Sequence, residues 1–125
     1  MLLRNYLNSL HKEIEKLENY GFIESLEVKE EIRAIKQALF TARVVFINGS
    51  ELHIKEYIDA RYKIERVSCA YHYQDRDGNC IFRYDDAVHK PALRSREHKH
   101  TLDGSIVPSD LPDISEIFDE IIGSL

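Results

Sequence analysis

His98 and His100 are separated by one residue, so on an extended segment both imidazoles project to the same side of the chain. Imidazole exchanges protons near neutral pH, and guanidinium or ammonium groups bind and stabilise phosphate oxygens. On RNA those two capacities suffice for metal-independent strand cleavage. A base activates the ribose 2′-hydroxyl, an acid protonates the leaving oxygen, and cations neutralise the charge that develops at phosphorus. The stretch from Tyr71 to His100 offers His89, His98 and His100 as proton carriers. Arg83, Tyr84 and Asp85 precede them, and Lys90, Arg96 and Lys99 are the candidate substrate-binding cations. Tyr84 could stack on a base or hold a proton, although a tyrosine on a hairpin more often serves packing. Arg83 and Asp85, at two-residue spacing, share one strand face and could simply form an ion pair. Three readings of His98 and His100 stay open: a solvated basic loop, a catalytic or RNA-contacting pair, and a metal site completed by His89 or Asp85. No metal ligand is assigned and no cofactor is expected.

Other polar clusters in the sequence have simpler explanations. Asp75-Arg76-Asp77-Gly78-Asn79 resembles half of a calcium loop but lacks the bidentate glutamate at its twelfth position, and turn chemistry accounts for it. A two-residue turn at Asp77-Gly78 would set Cys80 opposite Asp75 and Cys69 opposite Asp86, too far apart for a disulfide, so both are read as reduced thiols. Under that register Tyr73 opposes Phe82, Tyr71 opposes Tyr84, His72 opposes Arg83, and Asp85 lies near Ala70. His53 reads as an ordinary exposed strand residue, and His11 carries no assigned chemistry.

The elements that must position these residues follow from periodicity. Leu3, Leu7, Leu10, Ile14 and Leu17 form one apolar stripe on a helix spanning about 2–20, stopped by Gly21. Residues 22–38 are ambiguous. The spacing of Val28, Ile32, Ile35 and Leu39, together with helix propensity, predicts a short strand near 22–28 and a helix over Lys29 to Gln37. Strand-rich segments from Leu39 to Ile47 and from Glu51 to Ile58 flank Asn48-Gly49, the strongest short hairpin signal in the chain. The first of these is apolar on both sides, which predicts an interior strand. Lys63 to Gln74 and Cys80 to Asp85 make a second hairpin. After an irregular segment, Ile106-Val107 suggests a stub of strand. Pro112-Asp113 opens a last helix whose stripe is Ile114, Ile117, Phe118, Ile121 and Ile122. The expectation is one α+β domain over 1–125, with a mainly helical part at 1–38, sheet and basic histidine loop at 39–109, and a helix at 112–123. A four-stranded or larger antiparallel sheet of two hairpins would carry the N- and C-terminal helices on it.

Composition bounds the rest. The 125 residues are 43% hydrophobic and 31% charged. Val44-Val45-Phe46-Ile47 is the longest aliphatic or aromatic run, far short of a membrane span. The N-terminus lacks the pattern of a secretory signal, which predicts a cytoplasmic protein. The net charge of −5 argues against indiscriminate coating of nucleic acid. It is unevenly distributed: Lys90, Arg94, Arg96 and Lys99 face only Glu97 between His89 and His100, whereas the last helix region is acidic throughout.

The residues Gly49-Ser50-Glu51-Leu52-His53-Ile54-Lys55-Glu56-Tyr57, Tyr71-His72-Tyr73-Gln74-Asp75, Asp77-Gly78, Ile81-Phe82-Arg83-Tyr84-Asp85, Ala87, His89, His98-Lys99-His100 and Val107-Pro108-Ser109 resemble the TumE family, toxin partners in TumA/TumE-type toxin-antitoxin modules of bacteria and archaea. The resemblance covers about 48–122. It implies a small cytoplasmic toxin neutralised by an antitoxin with a helix-turn-helix domain. A toxin acting on RNA or translation is then the expected function, with the histidine loop as a ribonuclease site. A noncatalytic interaction module and a metal-dependent nuclease are the alternatives. The leucine stripe of the first helix would pack on this chain's own sheet, or on its copy in a homodimer.

Overall fold

The computed structural model describes residues 2–85, 98–100, 106–108 and 112–125. Helix α1 (Leu3–Asn19) buries Leu7, Leu10, Ile14 and Leu17, the stripe legible in the sequence. It ends where Gly21 takes φ +78°. There the Gly21 and Phe22 N–H groups donate to the carbonyls of Glu18 and Leu17, satisfying acceptors that the helix end leaves open.

The chain then forms a strand in place of the helix predicted over Lys29 to Gln37. Strand β1 (Ile23–Ala34) pairs along its length with β2 (Gln37–Phe46). The partly buried residues Leu26, Val28 and Glu30 alternate, which is the strand period, whereas Ile32 and Ile35 of the apparent helical stripe are 59% and 85% exposed. Helix propensity was overridden by a long ladder of backbone bonds to β2. The turn that makes this possible, Ile35-Lys36, has Lys36 at φ +62° and contains no glycine, asparagine or proline to signal it. The 1–38 segment is accordingly half helix and half strand.

Strands β3 (Glu51–Asp59), β4 (Glu65–Gln74), β5 (Cys80–Asp85), β6 (His98–His100) and β7 (Ile106–Pro108) complete a seven-stranded antiparallel meander in which each strand neighbours the next in sequence. Helix α2 (Ile114–Ile122) starts at Asp113, whose side chain accepts from the Glu116 N–H at 3.0 Å. Both helices cover one face. Phe40, Val44, Phe46, Leu52, Ile54, Ile58, Tyr71, Tyr73 and Phe82 form the core with the α1 stripe and with Ile114, Ile117, Phe118 and Ile121. Strand β2 is interior, as expected, but only one of its sides is sealed: Leu39, Thr41 and Val45 on the other are half-buried and Arg43 is exposed. No helix among the described residues is long and apolar enough to cross a membrane.

The two hairpin turns share a geometry. At each, a three-residue loop ends in a glycine of positive φ, Gly49 at +86° and Gly78 at +88°, with Phe46 and Asp75 accepting from those glycines' N–H groups. The second turn is thus one residue longer than the two-residue turn expected, and Cys80 pairs with Gln74, not with Asp75. A bulge beside Tyr73 then absorbs the extra residue. The register beyond it is the expected one, with Tyr73 opposite Phe82, His72 opposite Arg83 and Tyr71 opposite Tyr84. Cys69 and Cys80 form no disulfide. The glycines differ in surroundings: a Cβ at Gly49 would lie 3.0 Å from the Arg76 Cβ, whereas one at Gly78 meets nothing within 4 Å. Gly78→Ala is therefore expected to cost only the left-handed backbone term of about 1–2 kcal/mol. Gly49→Ala should cost more, read as a larger fall in the urea midpoint.

Candidate site on the outer face of the sheet

Alternation sends every second side chain of β2 to β5 away from the helices. Cross-strand register then lines up one row across the sheet. Glu27 pairs with Arg43, Arg43 with His53, His53 with His72, His72 with Arg83, and Arg83 with His100. The next row runs from Lys55 through Ala70 and Asp85 to His98. Two of these pairings, His72 with Arg83 and Asp85 with Ala70, were legible in the sequence. The entry of His53 was not, because it needs the β3–β4 register, set by a connection over 60–64 that contains no glycine, proline or asparagine.

The middle of the row lies in an open groove of about 370 Å³ lined by His53, Lys55, His72, Gln74 and Arg83 among others. Arg83 donates from Nε to Asp85 Oδ2 at 2.8 Å, so the ion pair suggested by their spacing is present. The Arg83 side chain is 43% exposed, and among the described residues its two terminal nitrogens make no hydrogen bond, leaving them able to meet a phosphate. Asp85 is buried to 2% exposure. Further along, Arg43 grips Glu51 with Nη2 at 2.6 Å and Nε at 3.2 Å, and Glu51 Oε2 lies 3.0 Å from His53 Nε2. Arg43 first and His53 second hold the Glu51 carboxyl below its ordinary range. The rings of His53 and His72 meet edge to face with centroids 6.2 Å apart. His72 Nδ1 is buried and has no hydrogen-bond partner among the described residues. Burial first, and then the Arg83 charge, lower the His72 pKa, with Gln74 opposing in part.

The candidate residues of the histidine stretch separate in space. Strand β6 brings His98 and His100 to register positions opposite Asp85 and Arg83. Tyr84 and Lys99 pair with each other on the helix-covered face, where both bond the Glu120 carboxylate, at 3.0 and 3.1 Å. The Lys99 ammonium also sits 4.8 Å from the Tyr84 ring centroid. These two therefore anchor β5 and β6 to α2. Burial, ahead of Glu120, pushes the Tyr84 phenol pKa up. His89, Lys90 and Arg96, and the side chains of His98 and His100, lie outside the described residues. Among the described residues no three His, Cys, Asp or Glu side chains are grouped to hold a metal ion.

A family model described as Toxin TumE matches residues 11–125, a span that includes most of α1 and all of β1 as well as the stretch from 48 to 122. No curated protein and no solved structure matches the chain.

Proposed function

The chain belongs to the TumE toxin family, and from that premise we propose that it poisons the cell by acting on RNA, as a metal-independent ribonuclease whose site is the outer face around Arg83, His98 and His100. As a toxin of a toxin-antitoxin module it has an antitoxin partner; a helix-turn-helix protein is the kind proposed here. One observation carries the reading. The cation Arg83, whose terminal nitrogens make no hydrogen bond among the described residues, sits in a single cross-strand row with two imidazole positions on one side and one on the other. A guanidinium that can grasp a phosphodiester between groups able to carry protons is the arrangement that RNA cleavage without a metal requires.

The test is inducible expression of the wild type beside the His98→Ala/His100→Ala double variant, followed by incubation of both purified proteins with RNA, with and without chelator. Charge-assisted contacts to phosphate contribute about 1.5–3 kcal/mol each. Their joint loss should lower cleavage at least about 100-fold and relieve growth inhibition, with no effect of chelator on the wild type. Equal toxicity of the two proteins would remove the β6 histidines from the site. Chelator-sensitive cleavage would instead support a metal-dependent nuclease, and antitoxin binding without any cleavage an interaction module.

A further inference from the structure

Resting on the reading that this face acts on RNA, we infer that His72 and His53 are the proton-transfer pair of the site, His72 as general base toward a ribose 2′-hydroxyl and His53 as general acid toward the departing 5′-oxygen. Neither is among His89, His98 and His100, the proton carriers that the sequence offers. Both line the same groove as Arg83 and Lys55, and their rings meet edge to face with centroids 6.2 Å apart, so a phosphodiester laid over the groove would touch both.

The two imidazoles differ in ways that suit opposite roles. His72 has one nitrogen, Nδ1, buried without a partner among the described residues, so Nε2 is left to meet substrate. Burial first, and then the neighbouring Arg83 guanidinium, oppose a positive charge on this ring, which is why its charged form is disfavoured and the ring stands ready as a base. His53 is on the other side of the groove, with Nε2 against Glu51, a carboxylate itself fixed by Arg43. An imidazolium there has a counterion already positioned, and its remaining nitrogen can deliver a proton. Among the described residues, the charged and titratable groups facing the pair are thus Glu51 and Lys55 on β3, Arg43 on β2, Glu27 and Lys29 on β1 toward His53, and Arg83 on β5, with Gln74 the polar neighbour on β4.

In the step this arrangement performs, the 2′-oxygen bonds to phosphorus while its proton passes to His72 Nε2. The bond from phosphorus to the 5′-oxygen breaks, its electron pair leaves with that oxygen, and His53 protonates it. The products are a 2′,3′-cyclic phosphate and a 5′-hydroxyl end. Arg83 and Lys55 face the phosphorane charge, and each imidazole recovers its starting state by proton exchange with water. In this scheme His98 and His100, on the strand next to that of Arg83, bind the substrate backbone.

The experiment uses the purified full chain and mixed-sequence RNA, with end-group analysis of the fragments and kinetics for single variants. His72→Gln and His53→Ala are each expected to lower kcat by about 10²–10⁴-fold with little change in KM. The His98→Ala/His100→Ala variant should act mainly through KM. Fragments should carry cyclic phosphate, and 2′-O-methyl RNA should be left intact. The acid limb of the wild-type rate profile should lie below the ordinary histidine value of about 6.5 and move upward in Arg83→Gln, a displacement that a merely structural His72 would not produce. His53 is exposed, so its substitution tests the pair even where His72→Gln destabilises the fold. Cleavage by the wild type that persists in both histidine variants, or that yields 5′-phosphate ends, overturns the pair and leaves the RNA reading standing. Absence of cleavage by the wild type overturns the ribonuclease reading and the pair with it.

Discussion

Replacing Glu56 with alanine is expected to destabilise the fold by about 3–5 kcal/mol, the usual cost of breaking a buried, hydrogen-bonded charge cluster from one side. Glu56 projects from β3 into the helix-covered core at 1% exposure. Its carboxylate accepts from the Tyr71 hydroxyl at 2.6 Å and from the Tyr6 hydroxyl of α1. Arg66 donates to the Tyr71 oxygen at 3.0 Å and to the Pro112 carbonyl, just ahead of α2, at 2.8 Å. One carboxylate thus joins α1, two strands and the start of α2. Removing it leaves two phenols without their acceptor. Glu56→Gln keeps the shape and one acceptor oxygen, and should cost about half as much. Urea unfolding measures both, and an alanine variant within about 1 kcal/mol of wild type would show that the cluster contributes little.

The same cluster predicts a pH dependence. Burial first, and then the Glu56 charge, push the Tyr6 and Tyr71 phenols well above their ordinary value. Their folded-state pKa values are raised, so the stability they contribute is present in full below the unfolded tyrosine pKa of about 10. It should be lost as pH climbs beyond that value, because only the unfolded phenols release their protons. Tyr71→Phe should reduce the steepness of alkaline unfolding.

Lysine at Val44 and at Val45, adjacent on β2, should have opposite fates. Val44 is fully buried opposite Leu52, and an ammonium there has no water and no counterion, a cost of several kcal/mol. Val45 is half-buried on the outer face and pairs with Glu51, so Val45→Lys should stay within about 1 kcal/mol of wild type. Soluble yield and urea midpoints distinguish the two, and comparable destabilisation would mean that the outer face is sealed as the inner one is. This contrast matters for function, since the proposed site needs that face to be reachable by RNA.

What the amino-acid sequence determined by itself is whatever depends on near neighbours. The α1 stripe and its Gly21 stop, the α2 stripe behind Pro112-Asp113, the two glycine hairpins, and the division of Tyr71, Tyr73, Phe82 and Tyr84 from His72, Arg83 and Asp85 all follow from spacings of two to four residues. Helical and strand periods act over that range, so they can be read locally. Tertiary structure decided what depends on partners far along the chain. It made Lys29 to Ala34 a strand because β2 was available to pair with it, and it brought Tyr84 and Lys99 together on Glu120. It also assembled Arg43, His53, His72, Arg83 and the His100 position from five strands into one row. A strand's side-chain direction reverses with every residue of register, and register is set by turns and bulges that leave little trace in residue type. For that reason His53 and His72 look ordinary in the sequence and become candidates for chemistry only once the strands are laid side by side.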